Sequence, residues 1–188
     1  MHLVRAVPFL VLAVAGCATV HVEVTQRAND PSPIEPVAVI LFQSSTPPSH
    51  SQILERALSA EMRQRGIAAS FTIVPGSEKA KGGVVATALA DVAGAIIIAP
   101  SDGTPSVNGV TVPVYYDVRA LRILKHPGPA VEGSGPNGTT PINDGLGRST
   151  YVWRGRAYAG RLTDENLREV ASQIVVTLVA DHILRATP

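Results

Sequence analysis

The sequence predicts an α/β fold: a three-stranded βαβαβ parallel core, extended by an antiparallel strand pair and closed by a C-terminal helix. Three observations predict it. Continuous apolar runs at 37–42 (VAVILF) and 94–100 (GAIIIAP) suit strands buried on both faces. Helical patterns separate these runs from each other and from a third strand at 68–74. Two long alternating segments, 112–124 and 149–160, then precede an amphipathic run that closes the chain.

Each element has a local cause. The stretch 20–24 (VHVEV) alternates apolar and polar residues and reads as a short strand. A proline-bearing linker, 25–36, follows it. Ile53, Leu54, Ala57, Leu58 and Met62 form one helical stripe. Ser49 and Gln52 have the spacing of a capping box, and Gly66 stands where a left-handed cap would end the helix, followed by apolar Ile67. A weaker helix is read over 81–93. Strands alternating with helices in this way imply parallel pairing with right-handed crossovers. In 149–160, Tyr151, Trp153 and Ala157 are expected on one face, with Arg154 and Arg156 on the other. For the last helix, Thr163 is the expected N-cap, and Asp164 and Glu165 complement the helix dipole. Residues 126–150 contain ten Gly or Pro and are too long for an ordinary hairpin loop. They are expected to be mobile in isolation and to order only on a partner or in a homo-oligomer.

The first twenty residues carry a different signal. A start bearing one cation, Arg5, leads into eleven uncharged residues, 6–16. A membrane-crossing helix needs about 20 apolar residues, whereas the centre of a signal peptide needs about 7–15. The run ends Val14-Ala15-Gly16-Cys17, which resembles a bacterial lipobox. The resemblance implies signal cleavage between Gly16 and Cys17 and acylation of Cys17, the sole cysteine. Several acyl chains on one residue would anchor the protein where one chain binds only reversibly. Ala18, not aspartate, follows the cysteine; in lipoproteins of this type that implies the periplasmic face of the bacterial outer membrane. The expected organisation is a signal peptide at 1–16, a lipidated tether at 17–36 and one periplasmic α/β domain at 37–188.

Composition narrows the function classes. Removing sixteen signal residues from 188 leaves 172, enough for one domain with a substantial core. The mature chain carries no net charge once Arg5 is gone, and aromatic residues are 4% of the sequence, so no nucleic-acid partner is indicated. Hydrolytic chemistry lacks its pattern: no Gly-x-Ser-x-Gly occurs, and the Gly-Ser-Gly within 132–138 sits in a loop. His21, His50, His126 and His182 are too scattered to suggest a metal site. Asp181-His182 is the one local pair, and a cation at a helix end has a simpler cause in the dipole. The segment 76–83 has glycines and lysines but not the end of a nucleotide-binding loop. No cofactor and no enzymatic activity are expected.

Arg119, Arg122, Arg154 and Arg156 remain. If the two long strands pair, these cations gather on one sheet face, where Asp117 can neutralise one of them. The plainer reading is a solvated face; the functional one is a docking patch for an anionic partner. The element order behind a lipobox resembles the α/β domains of envelope assembly lipoproteins: the curli-secretion channel lipoproteins, the penicillin-binding-protein activators and the Tol-system amino-terminal domain. That resemblance implies a non-enzymatic scaffold or regulator with a protein partner in the envelope. The alternative is an auxiliary ligand-binding subunit of an envelope transporter.

Overall fold

A computed structural model describes residues 20–29, 31–43, 48–74, 82–101, 114–123, 149–160 and 162–187. Cys17 and the greater part of 126–150 lie outside the described residues. The elements are β1 (Val20–Arg27), β2 (Val37–Phe42), α1 (Pro48–Gln64), β3 (Ala69–Val74), α2 (Gly82–Leu89), β4 (Gly94–Pro100), β5 (Val114–Ile123), β6 (Ser149–Ala159) and α3 (Asp164–Ala180). The six strands form one mixed sheet in the order β1-β6-β5-β4-β2-β3.

The expected parallel core is present. β2 pairs in parallel with β3 on one side and with β4 on the other. The chain steps outward to β3 through α1, then back across β2 to β4 through α2. Steps in opposite directions with one crossover hand place the two helices on opposite faces. Val39 and Leu41 accordingly pack with α1, while Ala38 and Ile40 pack with Val85 and Leu89 of α2. This two-sided burial explains the unbroken apolar run of β2. β5 joins β4 antiparallel, and β6 joins β5 antiparallel.

The outer strand corrects the expected domain boundary. Val20–Arg27 forms not part of a tether but the edge of the sheet, antiparallel to β6 from Val20↔Ala159 to Arg27↔Trp153. Val20 and Ile34 are buried in the core, and the Ile34 backbone N–H donates to the Ile183 carbonyl at 2.9 Å. The folded body therefore includes Val20–Arg27, ahead of residue 37, because alternation in β1 gives it an apolar face that the sheet covers.

α1 and α3 pack side by side over one face. Leu58, Leu167, Ile174 and Leu178 are fully buried there against Val118, Trp153 and Ala157. The helix ends follow local chemistry. α1 starts at Pro48, so Ser49 falls inside the helix and not at its cap. Gly66 takes φ +67°, its N–H donates to the Arg63 carbonyl, and the Ile67 N–H reaches back to Met62, which closes the helix in a Schellman turn. In α3 the Thr163 hydroxyl accepts from the Asn166 N–H at 3.2 Å. The far end of α3 repeats the Schellman pattern, but with His182 in the left-handed position at φ +58°.

Candidate functional site

The sheet is covered unevenly. α1 and α3 lie over one face, and α2 lies over the other only near β2 and β3. Among the described residues, no helix covers that second face across β5, β6 and β1. Strand alternation decides what this open face presents, and register assembles it into rows. The first row is His21, Tyr158 and Tyr115. The second is Glu23, Arg156 and Asp117, and the third is Gln26, Arg154, Arg119 and Ile97. Tyr151 stands in the fourth, where its partner Leu121 is fully buried.

Three of the four expected arginines share this face: Arg119, Arg154 and Arg156. Arg122 does not. One residue further along β5 from Leu121, its side chain points to the opposite side, where its guanidinium donates to the Ser32 carbonyl at 2.6 Å. It clamps the chain ahead of β2 and so belongs to the fold. The expected neutralisation by Asp117 is present: Arg156 Nε donates to Asp117 Oδ1 at 3.2 Å. Both groups keep contact with solvent, so the pair contributes about 0.2–1 kcal/mol.

Arg119 and Arg154 stand directly opposite each other on adjacent strands. Like charges in that position repel. Arg154 answers by laying its guanidinium over the Tyr151 ring, 3.7 Å from the centroid. Arg119 is exposed and makes no hydrogen bond or ion pair among the described residues. Three arginines against two acids, Glu23 and Asp117, leave an excess of arginine charge, and guanidinium stays charged at any working pH.

Tyr151 corrects the expected face assignment. Strict alternation puts it with Trp153, but β6 bulges at Val152: Trp153 pairs with Ala120 while Tyr151 pairs with Leu121. The extra residue turns Tyr151 onto the open face, within reach of Arg154. A second bulge at Thr25 keeps Gln26 in the same row as Arg154. The rings of the first row also meet across strands: His21 and Tyr158 lie 4.9 Å apart, Tyr158 and Tyr115 5.1 Å. Tyr115 is the most exposed large apolar side chain on the face, at 43%. Sequence reasoning found the cations but not this row; the usable signal was alternation in 20–24 matched against that in 112–124.

The covered face holds a separate polar cluster. Trp153 is fully buried, and its Nε1–H donates to Asp181 Oδ2 at 2.7 Å. Arg27 Nε donates to the same oxygen at 2.8 Å. Burial alone would raise the Asp181 carboxyl, but the hydrogen bonds from Arg27 and Trp153, with the positive charge of Arg27 and His182, hold it below its usual value. His182 thus supports Asp181 at a helix end. Among the described residues no group of three or more His, Cys, Asp or Glu could hold a metal ion. No described helix is long and apolar enough to cross a membrane.

The structure therefore defines a mixed α/β sheet domain with one open face of arginines and tyrosines. No protein-family model matches the sequence. No curated protein matches it either. Solved structures similar in arrangement include the PelC dodecamer from Paraburkholderia phytofirmans, at 17% identity over 88% of this chain and 99% of that one, with a TM-score of 0.42. A single-substitution variant of that PelC dodecamer matches at 12% identity over 88% of this chain and 98% of that one, also at 0.42. At that distance neither bears on the role of this chain.

Proposed function

We propose that the protein is a lipid-anchored bacterial envelope protein that works by binding, as a non-enzymatic scaffold or regulator of a larger assembly. One observation carries the reading: Val14-Ala15-Gly16-Cys17 ends an uncharged run and stands three residues ahead of the first strand of the sheet. A signal sequence and an anchor would thus be followed almost at once by a folded domain. Acylated Cys17 is held at the periplasmic face of the outer membrane, and the chain acts there without a cofactor. The open arginine face supports the binding role, since it offers fixed cations and aromatic rings on a rigid sheet.

The test is expression of the full chain in a double-membraned bacterium. Mass spectrometry of the mature amino terminus should show cleavage before Cys17 and added acyl chains. Crosslinking in the intact envelope should then capture a defined protein partner. An intact, unacylated amino terminus refutes the anchor. Acylation with no captured partner refutes the scaffold.

A further inference from the structure

The position of β1 in the sheet says which part of the domain meets the membrane. This inference rests on the anchor proposed above. Cys17 and Val20 are three residues apart, so the acylated residue lies within about 11 Å of the start of β1. The strand directions then fix one end of the sheet beside the bilayer. β1 starts at that end, β6 finishes there at Ala159, and Val114 of β5 pairs with Ala159 in the same row. Ile123 and Ser149, where β5 ends and β6 begins, lie at the opposite end.

The open-face row nearest the anchor is His21, Tyr158 and Tyr115. Tyrosine has an apolar ring and a polar tip, the combination that collects at the head-group level of a bilayer. Arg156 stands one row further, and Arg154 and Arg119 stand in the row beyond it. The juxtaposed Arg119 and Arg154 lack an acid in their own row, and a lipid phosphate supplies the missing anion. A three-residue connection keeps lipid phosphates at high effective concentration before this face. We propose that the open face of β1, β6 and β5 docks on the head-group layer that holds Cys17, with His21, Tyr158 and Tyr115 at the interface and Arg119, Arg154 and Arg156 facing the phosphate of an anionic lipid such as phosphatidylglycerol. An acidic protein segment would also satisfy the arginines, but it gives no reason for the aromatic row to stand at the anchor end.

The test uses the full, processed chain in vesicles of phosphatidylethanolamine with phosphatidylglycerol. With Cys17 acylated, Tyr115→Cys supplies the single free thiol for a spin label. Arg185→Cys supplies an exposed control at the opposite end of the sheet. Collision of the label with a water-soluble nickel chelate should be severalfold lower at 115 than at 185. The protection should be lost when phosphatidylcholine replaces phosphatidylglycerol, or when Arg119→Glu is added. Equal collision at the two sites, in protein whose mass shows acylated Cys17, overturns the docking and leaves the anchor standing. The face is then free for an acidic protein. Protection that is the same in both vesicle types overturns the assignment of the arginines to the phosphate of an anionic lipid. An unacylated Cys17 overturns the anchor, and the docking with it.

Discussion

Replacing Asp181 by alanine tests the cluster that ties β1 and β6 to the end of α3. The Trp153 indole N–H lies in a fully buried side chain and has Asp181 Oδ2 as its acceptor at 2.7 Å. Removing the carboxylate leaves that donor unsatisfied in the core, which costs about 1–3 kcal/mol. Arg27 also loses its partner, but its side chain is 58% exposed and water replaces the carboxylate at little cost. The expected loss is about 2 kcal/mol. For a domain of this size that lowers Tm by about 4–8 °C. Asp181→Asn keeps an oxygen in place and should lose about 1 kcal/mol or less. The pH dependence gives a second check. The folded carboxyl is held below its usual value by the Arg27 and Trp153 hydrogen bonds, against the opposing effect of burial. The stabilisation is therefore fully present above the unfolded carboxylate range, near pH 4, and is lost as pH falls through the folded value. The gap between wild type and Asp181→Ala should narrow in acid. Thermal unfolding followed through the fluorescence of Trp153, the single tryptophan, measures all of this directly. If Asp181→Ala unfolds at the wild-type temperature, or if the gap is independent of pH down to acid, the reasoning is wrong.

Three further outcomes follow from the same geometry. His182→Gly should stabilise the chain by about 0.5–1 kcal/mol in denaturant unfolding, since φ +58° suits glycine and strains histidine; a loss would mean that the His182 charge beside Asp181 outweighs the backbone. Gly94→Ala should cost about 3 kcal/mol or more, because its Cβ would stand 2.1 Å from the Leu121 carbonyl oxygen and β4 would have to part from β5; a soluble variant with an unchanged denaturation midpoint would contradict this. Burial pushes the Tyr116 hydroxyl up to about 12, so the unfolded chain gives up that proton first. Stability should hold below pH 10 and fall by about 2–3 kcal/mol as pH rises toward 12, a fall that Tyr116→Phe removes; an equally steep fall in that variant would place the effect elsewhere.

Periodicity and end signals were sufficient for most elements. The runs at 37–42 and 94–100 carry their strands almost to the residue, because burial on both faces leaves no other use for an unbroken apolar segment. Thr163 and Gly66 mark helix ends through hydrogen bonds made within a few residues, so neighbouring sequence holds all the information they need. The lipobox resemblance is likewise confined to a short segment. What tertiary structure decided is everything that depends on residues far apart in the chain. The pairing of 20–27 with β6 joins segments about 130 positions apart, and alternation in 20–24 names a strand without naming its neighbour. The gathering of Arg119, Arg154 and Arg156 depends on the register of β5 against β6, and Arg122 leaves the group because period-2 alternation turns it to the other face. Tyr151 joins Arg154 only because one extra residue at Val152 reverses its side, and a bulge is set by the partner strand. Among the described residues no helix covers the face because α2 stops over β2 and β3, a matter of where a helix packs and not of what its residues prefer.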